Sequence, residues 1–399
     1  MRNLILFRKF TWRSCARSFS GVAEAPKEHE SQKRHDRMGG WQLHCYSDNV
    51  ADVQFSDHLK KPFVKTPSQL LVKVLASSVN PIDVAMMNGY GSTFINTMRC
   101  GSDIEFPLTL GRDFVGKIVH KGFDASNNQY KVGDKVWGVV PVHHQGCHCE
   151  YVAIDNKYVS KKPENLSDVD ASAVLYAGLT AWSGLFLTGH LNGLLGALCS
   201  TPGSSFGKKV LVLGASGGVG SLAVQMLQAE GVEVVATCSA DAVTTIQNLG
   251  VVKVIDYTSE DSSALLISES PYDIILDCAG KGSEYANTLP WNFGSYITFK
   301  SPLLKNFDSD GLIAGGIKNA RDLIASNMSA VNGKGIVKWG YFMPAQNGIQ
   351  HLQKLAEHRK LLPIVDSTFS FDSLPEAYKK VQDGHLRGKV VIDFTKTGK

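Results

Sequence analysis

The chain lacks paired Cys-x-x-Cys units, and that absence sets the first limit. Its eight cysteines (Cys15, Cys45, Cys100, Cys147, Cys149, Cys199, Cys238 and Cys278) are scattered over 399 residues. Such scatter in so long a chain argues against a disulfide framework and for reduced, buried thiols. Net charge is also nearly missing from the body of the protein. The formal +4 arises in the first 23 residues, where Arg2, Arg8, Lys9, Arg13 and Arg17 face no acid; the rest holds 36 basic and 37 acidic groups. A neutral body offers no electrostatic case for nucleic acid. A third absence runs from 171 to 207, with no Asp, Glu, Lys or Arg. Its length would suit a membrane span, but Gly178, Gly184, Gly189, Gly193, Gly196, His190 and Asn192 dot it and Pro202 breaks it. The expectation is a buried interdomain helix followed by a glycine-rich loop, with a membrane-touching segment as the alternative.

The acid-free N-terminus interleaves its cations with Leu4, Ile5, Leu6, Phe7, Phe10 and Trp12. That pattern suits an amphipathic mitochondrial transit peptide; Arg8 and Lys9 interrupt the apolar run that a secretory signal needs. Arg17-Ser18-Phe19 before Ser20 resembles a matrix-processing site, so cleavage is expected near Ser20. A polar linker follows to about residue 40.

From Trp41 to about Pro163, short strands alternate with turns. Leu70–Ala76, Phe114–Val119 and a strand after the Gly133-Asp134 turn predict an antiparallel β domain. From about Lys208 the rhythm becomes strand and helix: strands at Val210–Leu213, Val232–Ala236, Val252–Ile255 and Ile274–Asp277, and helices at Val219–Glu230 and Ala242–Leu249. Alternating βα units predict a parallel, doubly wound sheet. Ser367–Phe394 reads as a return to strand and turn, placed to rejoin the first domain.

The strongest motif is Val210-Leu-Val-Leu-Gly214-Ala215-Ser216-Gly217-Gly218-Val219-Gly220. It follows a strand and opens a helix, the context a dinucleotide fingerprint requires. Gly217 lets the backbone approach a pyrophosphate and Gly220 lets helix pack on strand. The helix start then offers unpaired N–H groups and partial positive charge. About 20 residues on, NAD enzymes usually place an acid that takes the ribose hydroxyls. Here Val234-Val235-Ala236 runs into Thr237-Cys238-Ser239 instead, and Asp241 is expected in the first turn of the next helix. The missing carboxylate favours NADPH, with Ser239 and Tyr257 placed to bond its 2′-phosphate, although no Arg or Lys is adjacent in sequence. Tyr257 also reads as a packing aromatic at a strand end.

These motifs have company. Ser78-Val79-Asn80-Pro81-Ile82-Asp83, Phe106–Gly116, Gly133-Asp134-Lys135-Val136-Trp137, Gly178-Leu179-Thr180-Ala181-Trp182, Asp277–Gly280 and Gly384-His385-Leu386-Arg387-Gly388-Lys389 occur in order around the fingerprint. Over about residues 40–396 the chain resembles the quinone-oxidoreductase branch of the medium-chain dehydrogenase/reductases, and within it the mitochondrial reticulon-interacting oxidoreductases. The resemblance implies an α/β fold in which a GroES-like β domain, closed by the C-terminal segment, joins a Rossmann doubly wound parallel-sheet domain. Its implied boundaries are 1–20 transit peptide, 21–40 linker, 41–170 GroES-like, 171–341 Rossmann and 342–399 returning. It implies that Ser216, Gly217, Gly218, Val219, Ser239 and Tyr257 hold NADPH, bordered by Gly280, Phe342, His385, Leu386 and Arg387. It further implies reduction of a quinone, enone or related carbonyl in the mitochondrion, in support of ubiquinone biosynthesis, and a homodimer along the Rossmann sheet edge. An NADPH-binding scaffold with little turnover, with a membrane-proximal protein partner, is the alternative.

Zinc-dependent relatives place a Cys and a Gly-His-Glu motif where this chain has Asn80–Asp83 and Leu110-Gly111-Arg112-Asp113, and the four-cysteine structural lobe is missing. A metal-free reaction is expected. His143-His144-Gln145-Gly146-Cys147-His148-Cys149 is rich in ligand types, but a strand entry sends neighbouring side chains to opposite faces. Thiols and imidazoles at a cleft edge are expected there. Without metal, a developing oxyanion needs a hydrogen-bond donor. Asn80, Tyr90 and Arg112 are the candidates, with Asp83 placed to orient Asn80 or a water. Asn80-Pro81 also reads as a turn, and Asp83 as a helix cap. The family often carries an Arg shortly after the Asp; Met86 and Met87 stand there.

Overall fold

The computed structural model describes residues 36–99, 105–193, 205–328, 330 and 333–396. The transit peptide, its cleavage point and most of the linker lie outside them. The linker ends sooner than expected, because β1 (Arg37–Gln42) is already a strand, antiparallel to β2 (Gln54–Lys60). Its backbone is tied down by residues 148–150: Trp41 N–H donates to His148 O at 3.0 Å and Glu150 N–H to Gly39 O at 2.9 Å.

Five antiparallel strands follow: β3 (Gln69–Val79), β4 (Asp113–Lys121), β5 (Lys135–Val139), β6 (Tyr151–Asp155) and β7 (Val159–Lys161). The Gly-Asp turn before β5 is present, with Gly133 at φ +100°, a conformation open to glycine at no steric cost. Between β3 and β4 lie α1 (Pro81–Met87) and α2 (Ser92–Met98).

Two helices lead out of the β domain, α3 (Asp168–Ser172) and α4 (Leu175–Trp182), the latter running into a π-helical turn at Ser183–Thr188. Among the described residues no helix is long and apolar enough to cross a membrane. The part of the uncharged stretch at 171–193 supplies an interdomain core, and the expected glycine-rich loop falls largely on 194–204, outside the described residues. Leu175 and Leu179 join one cluster with Val115 and Trp137 of the β sheet and with Val210, Leu222 and Leu276 of the next domain. Full burial of each such leucine contributes roughly 1.5–3 kcal/mol.

The second sheet is wholly parallel. It consists of β8 (Lys209–Leu213), β9 (Glu233–Cys238), β10 (Lys253–Asp256), β11 (Tyr272–Asp277), β12 (Phe293–Thr298) and β13 (Ile336–Trp339), in the order β10-β9-β8-β11-β12-β13. The crossovers include α5 (Gly218–Ala229), α6 (Val243–Asn248), α7 (Ser262–Ser268), α8 (Ser283–Thr288) and α9 (Leu303–Ser326), which breaks at Gly311. The strand order reverses between β8 and β11, and ligands of such sheets bind at that switch point. On the outer edge, the Asn327 amide caps Val337 in both directions, accepting from its N–H at 2.8 Å and donating to its C=O at 3.0 Å.

After α10 (Gln346–Glu357), the chain returns to the first sheet as β14 (Val365–Ser370) and β15 (Lys389–Asp393). Strand and turn were expected here; the connection is a helix, α11 (Leu374–Asp383), burying Leu374, Ala377, Tyr378 and Val381 on one face. β14 and β15 pair in parallel, so a crossover rather than a hairpin must join them. β15 then lies antiparallel to β3, next to Ser78 and Val79.

At Gly116 this packing has little slack: a Cβ there would sit 2.4 Å from Lys73 O and from Val72 Cγ1. Gly116→Ala is expected to destabilise the protein by roughly 1–3 kcal/mol through overpacking. Thermal or urea denaturation checks this, with unchanged stability contradicting it.

Candidate active site

The fingerprint loop leaves the end of β8 with Gly214 at φ +76° and enters α5 at Gly218. Gly220 packs so closely that a Cβ would lie 2.3 Å from Gly214 O. Gly217 is open by contrast, its nearest neighbour a backbone oxygen 3.7 Å from a built Cβ. The N–H groups of the first helical turn have no intrahelical partner. A half-buried glycine with open space above its backbone, before the N–H groups of a helix start, fits a pyrophosphate. Ser216 is buried beside it and Val219 half-buried. Across the switch point, the buried Asp277 carboxylate accepts the N–H groups of Ala279, Lys281 and Gly282 and the Thr298 hydroxyl. That turn holds Gly280 at φ +66°, where a built Cβ would meet nothing within 4 Å.

The end of β9 gains a cation that its local sequence lacks. No basic residue is adjacent in sequence, yet Arg387 arrives from the C-terminal return. Its Nη2 donates to Ser239 Oγ at 2.8 Å and its Nε to Asp241 Oδ2 at 3.0 Å. Asp241 lies in a short turn of helix, as expected, and also accepts from Ser239. The Arg387 and Ser239 hydrogen bonds hold the Asp241 carboxyl down to about 2. Tyr257 is 55% exposed rather than packed, its N–H bonded to Cys238 O and its phenol close enough to Arg387 to act on its charge. His385 is exposed at φ +54°, while Leu386 packs into the β-domain core. Gly388 forms a parallel bridge with Gly217, so the return strand lies directly against the fingerprint.

Beneath that bridge lies a buried group of charges. Lys389 packs its stem against Gly218, where a Cβ would meet its Cδ at 2.6 Å. Its ammonium donates to Asn80 Oδ1 and Val79 O. Asn80 Nδ2 donates to Asp113 Oδ1 at 3.1 Å and Ser78 Oγ at 3.3 Å. Asp83 accepts the N–H of Asn80 at 2.8 Å and that of Gly111 at 2.9 Å, capping α1. Burial raises the carboxyls of Asp83 and Asp113, opposed by Arg112 for the first and Lys389 for the second, and lowers the Lys389 ammonium. Arg112 is wholly buried, donating Nη1 to Pro141 O and His144 O, with Asp83 at 3.7 Å from its Nε. Two expected donors are therefore corrected: Arg112 is sealed under the cleft, and the Asn80 amide is spent on Asp113.

Above this layer, Tyr176 stacks on Phe342 with ring centroids 4.1 Å apart and planes at 15°. Tyr90 is near enough to raise the pKa of both Tyr176 and Tyr341, after their burial. The Asp308 carboxylate of α9 reaches across to the Tyr90 loop, accepting from Gly91 N–H at 2.6 Å and Thr93 N–H at 3.0 Å. Phe307 stacks on Phe94 beside it. Tyr176, Asp113 and Lys389 are thus site residues that the sequence reading did not single out, although Asp113 and Lys389 close two of its motifs. A surface hollow lined by Lys60, Lys61, Phe63 and His120 shares none of these residues.

Cys147, His148 and Cys149 are also corrected. They are buried, not at a cleft edge, because Gly146–His148 run hydrogen-bonded along Thr109–Gly111. Among the described residues no three His, Cys, Asp or Glu side chains converge as metal ligands.

Known proteins share this arrangement. Residues 66–166 match the alcohol dehydrogenase GroES-like domain family and residues 249–392 the zinc-binding dehydrogenase family. The mitochondrial NAD(P)H oxidoreductase RTN4IP1 of Drosophila melanogaster is 48% identical over 366 residues, 91% of this chain and 87% of the relative. The chain belongs to the medium-chain dehydrogenase/reductase superfamily. It is accordingly an oxidoreductase. The human protein of the same name is 37% identical, covering 89% of each chain. The solved quinone oxidoreductase of Coxiella burnetii superposes with a TM-score of 0.68 at 26% identity, over 90% of this chain and 99% of its own.

One buried group makes stability depend on pH. His148 Nε2 donates to Ser78 O at 3.3 Å, so Nδ1 of the neutral ring accepts the Tyr378 hydroxyl at 2.9 Å, and burial holds the imidazole down to about 3. Its unfolded value is about 6.5. Between these values the unfolded chain takes up a proton that the folded chain refuses, so stability falls as pH drops through that window. His148→Gln is expected to lessen the loss between pH 7 and 4, read from urea midpoints; an identical pH slope in the variant would contradict it.

Proposed function

We propose that the protein is an NADPH-dependent reductase of the mitochondrial matrix, acting without metal on a quinone, enone or related carbonyl, in support of ubiquinone biosynthesis. The observation that carries the cofactor preference is the meeting of Arg387 with Ser239 at the end of β9. A guanidinium beside a hydroxyl and the exposed Tyr257 suits a 2′-phosphate, which carries nearly two charges. Asp241 now occupies the fork of Arg387, but its side chain is 65% exposed and a dianionic phosphate outcompetes a solvated monoanion there. When bound, the nicotinamide supplies the hydride.

The chain's own residues do the rest. The fingerprint glycines admit the pyrophosphate backbone-first. Gly280 leaves the switch point open. Phe342 and Tyr176 form a flat wall for a planar conjugated substrate, consistent with the quinone oxidoreductases among the fold's neighbours. The mitochondrial setting is supported by the names of the RTN4IP1 relatives and by the basic leader. The exposed aliphatic face of α9, with Ile313, Ile317 and Ile324 outermost, is taken as the surface for a partner, a second copy or a membrane-proximal protein.

Arg387→Ala is expected to weaken NADPH about 10- to 100-fold, the loss of charge-assisted hydrogen bonds worth roughly 1.5–3 kcal/mol, and to leave NADH nearly unchanged. Calorimetric titration with both cofactors tests this; equal loss for the two would remove the 2′-phosphate assignment. Tight NADPH binding with no oxidation across a panel of quinones and enals would favour the scaffold reading.

A further inference from the structure

We infer that the Tyr176 hydroxyl is the catalytic hydrogen-bond donor for the oxyanion formed on the substrate, an inference that rests on the reductase reading above. The geometry points to it by what is spent and what is left. Asn80 gives its amide hydrogens to Asp113 and Ser78. Arg112 is sealed from the cleft and donates to two backbone carbonyls. Lys389 donates to Asn80 and Val79. The Asn80 amide and the Lys389 ammonium are thus already engaged, and Arg112 is buried out of reach.

Tyr176 is placed differently. Every other residue of α4 is buried, and Tyr176 alone is partly open. Its main chain is anchored, the N–H donating to Asp113 Oδ2 at 3.2 Å. Its ring is clamped face to face on Phe342. Among the described residues no hydrogen bond engages its hydroxyl. A phenol fixed at both backbone and ring, whose O–H no described group engages, is a donor that needs no reorganisation when charge develops. Burial, and then the neighbouring Asp83, raise its pKa, so the phenol stays protonated and donates. Tyr90 faces the same space without a stacking partner among the described rings, and Tyr341 is 38% exposed at the edge.

The step balances as follows. A hydride, carrying two electrons, passes from the reduced nicotinamide to the electron-poor carbon of the quinone or enone. The carbonyl π pair moves to oxygen, where the Tyr176 O–H holds the resulting oxyanion. That oxygen then takes a proton from water, leaving reduced substrate and oxidised cofactor.

Tyr176→Phe keeps the ring and its stack and removes only the donor. Calorimetry is expected to show unchanged NADPH binding, while kcat for a quinone or enal falls about 10²-fold, the usual loss for one oxyanion donor. A second readout needs no turnover: para-nitrophenolate, an oxyanion mimic, is titrated into the complex with oxidised cofactor and followed by its absorbance shift. The wild type is expected to bind it at least about tenfold more tightly than Tyr176→Phe, one charge-assisted hydrogen bond. Turnover and phenolate binding both within twofold of wild type would overturn the assignment. So would losses confined to a parallel Tyr90→Phe variant, which would move the role to Tyr90. If the wild type reduces nothing in the panel yet binds phenolate through Tyr176, the reductase reading falls and the oxyanion site stands.

Discussion

The structure turns on one contact, the C-terminal strand lying along the cofactor loop. Gly217 pairs with Gly388, and the Lys389 stem fills the space that a side chain at Gly218 would need. Two glycines and one lysine thereby fix the distance between the two sheets. The same segment that closes the β sheet through β15 also delivers Arg387 to the end of β9. Cofactor site and catalytic floor are therefore not separate constructions. They are two ends of six residues, 384–389, held at one end by a sheet and at the other by a turn.

Lys389 shows why the floor is stable despite its charge. A lone buried ammonium would be expelled or neutralised. Here it lies among Asn80, Asp113 and Asp83, with Arg112 on the far side of Asp83. Two carboxylates and two cations share one low-dielectric layer, each bonded to backbone or amide groups. Such layers contribute little net stability, but removal of one member leaves an uncompensated charge and costs several kcal/mol. Their value is positional: α1, the Gly111 turn and β15 are pinned to one another.

Much of this was readable in the chain, and the failures have physical causes. The parallel sheet, the fingerprint and the Gly133 turn are local patterns, set by alternation and by glycine's freedom at positive φ. The buried course of α4 was also local, since an uncharged run punctuated by glycine packs closely, as Gly178 does against Leu352. What local pattern leaves open is non-local: the resemblance placed Arg387 at the border of the cofactor, but its pairing with Asp241, 146 residues away, comes from the fold. Asn80 and Arg112 differ from expectation for a related reason: residue type announces a donor, but only the fold shows whether its hydrogens are already taken, as for Asn80, or sealed from the cleft, as for Arg112. α11 is a different failure. Leu374, Ala377, Tyr378 and Val381 stand at helical spacing behind Pro375, so the signal was present and was read over as strand and turn.

Asp308 has a consequence for how the molecule moves. It sits on a helix of the parallel-sheet domain, yet grips the N–H groups of Gly91 and Thr93, where the loop that carries Tyr90 enters α2. Widening of the interdomain groove must therefore either break this grip or drag the loop along with the nucleotide-binding half. In the first case Tyr90 parts from Tyr176 and Tyr341 as the groove opens; in the second the three stay together, and access is gained on their other side. Either way, entry and wall geometry form a single mechanical variable, governed by one carboxylate remote from the nucleotide loop in sequence.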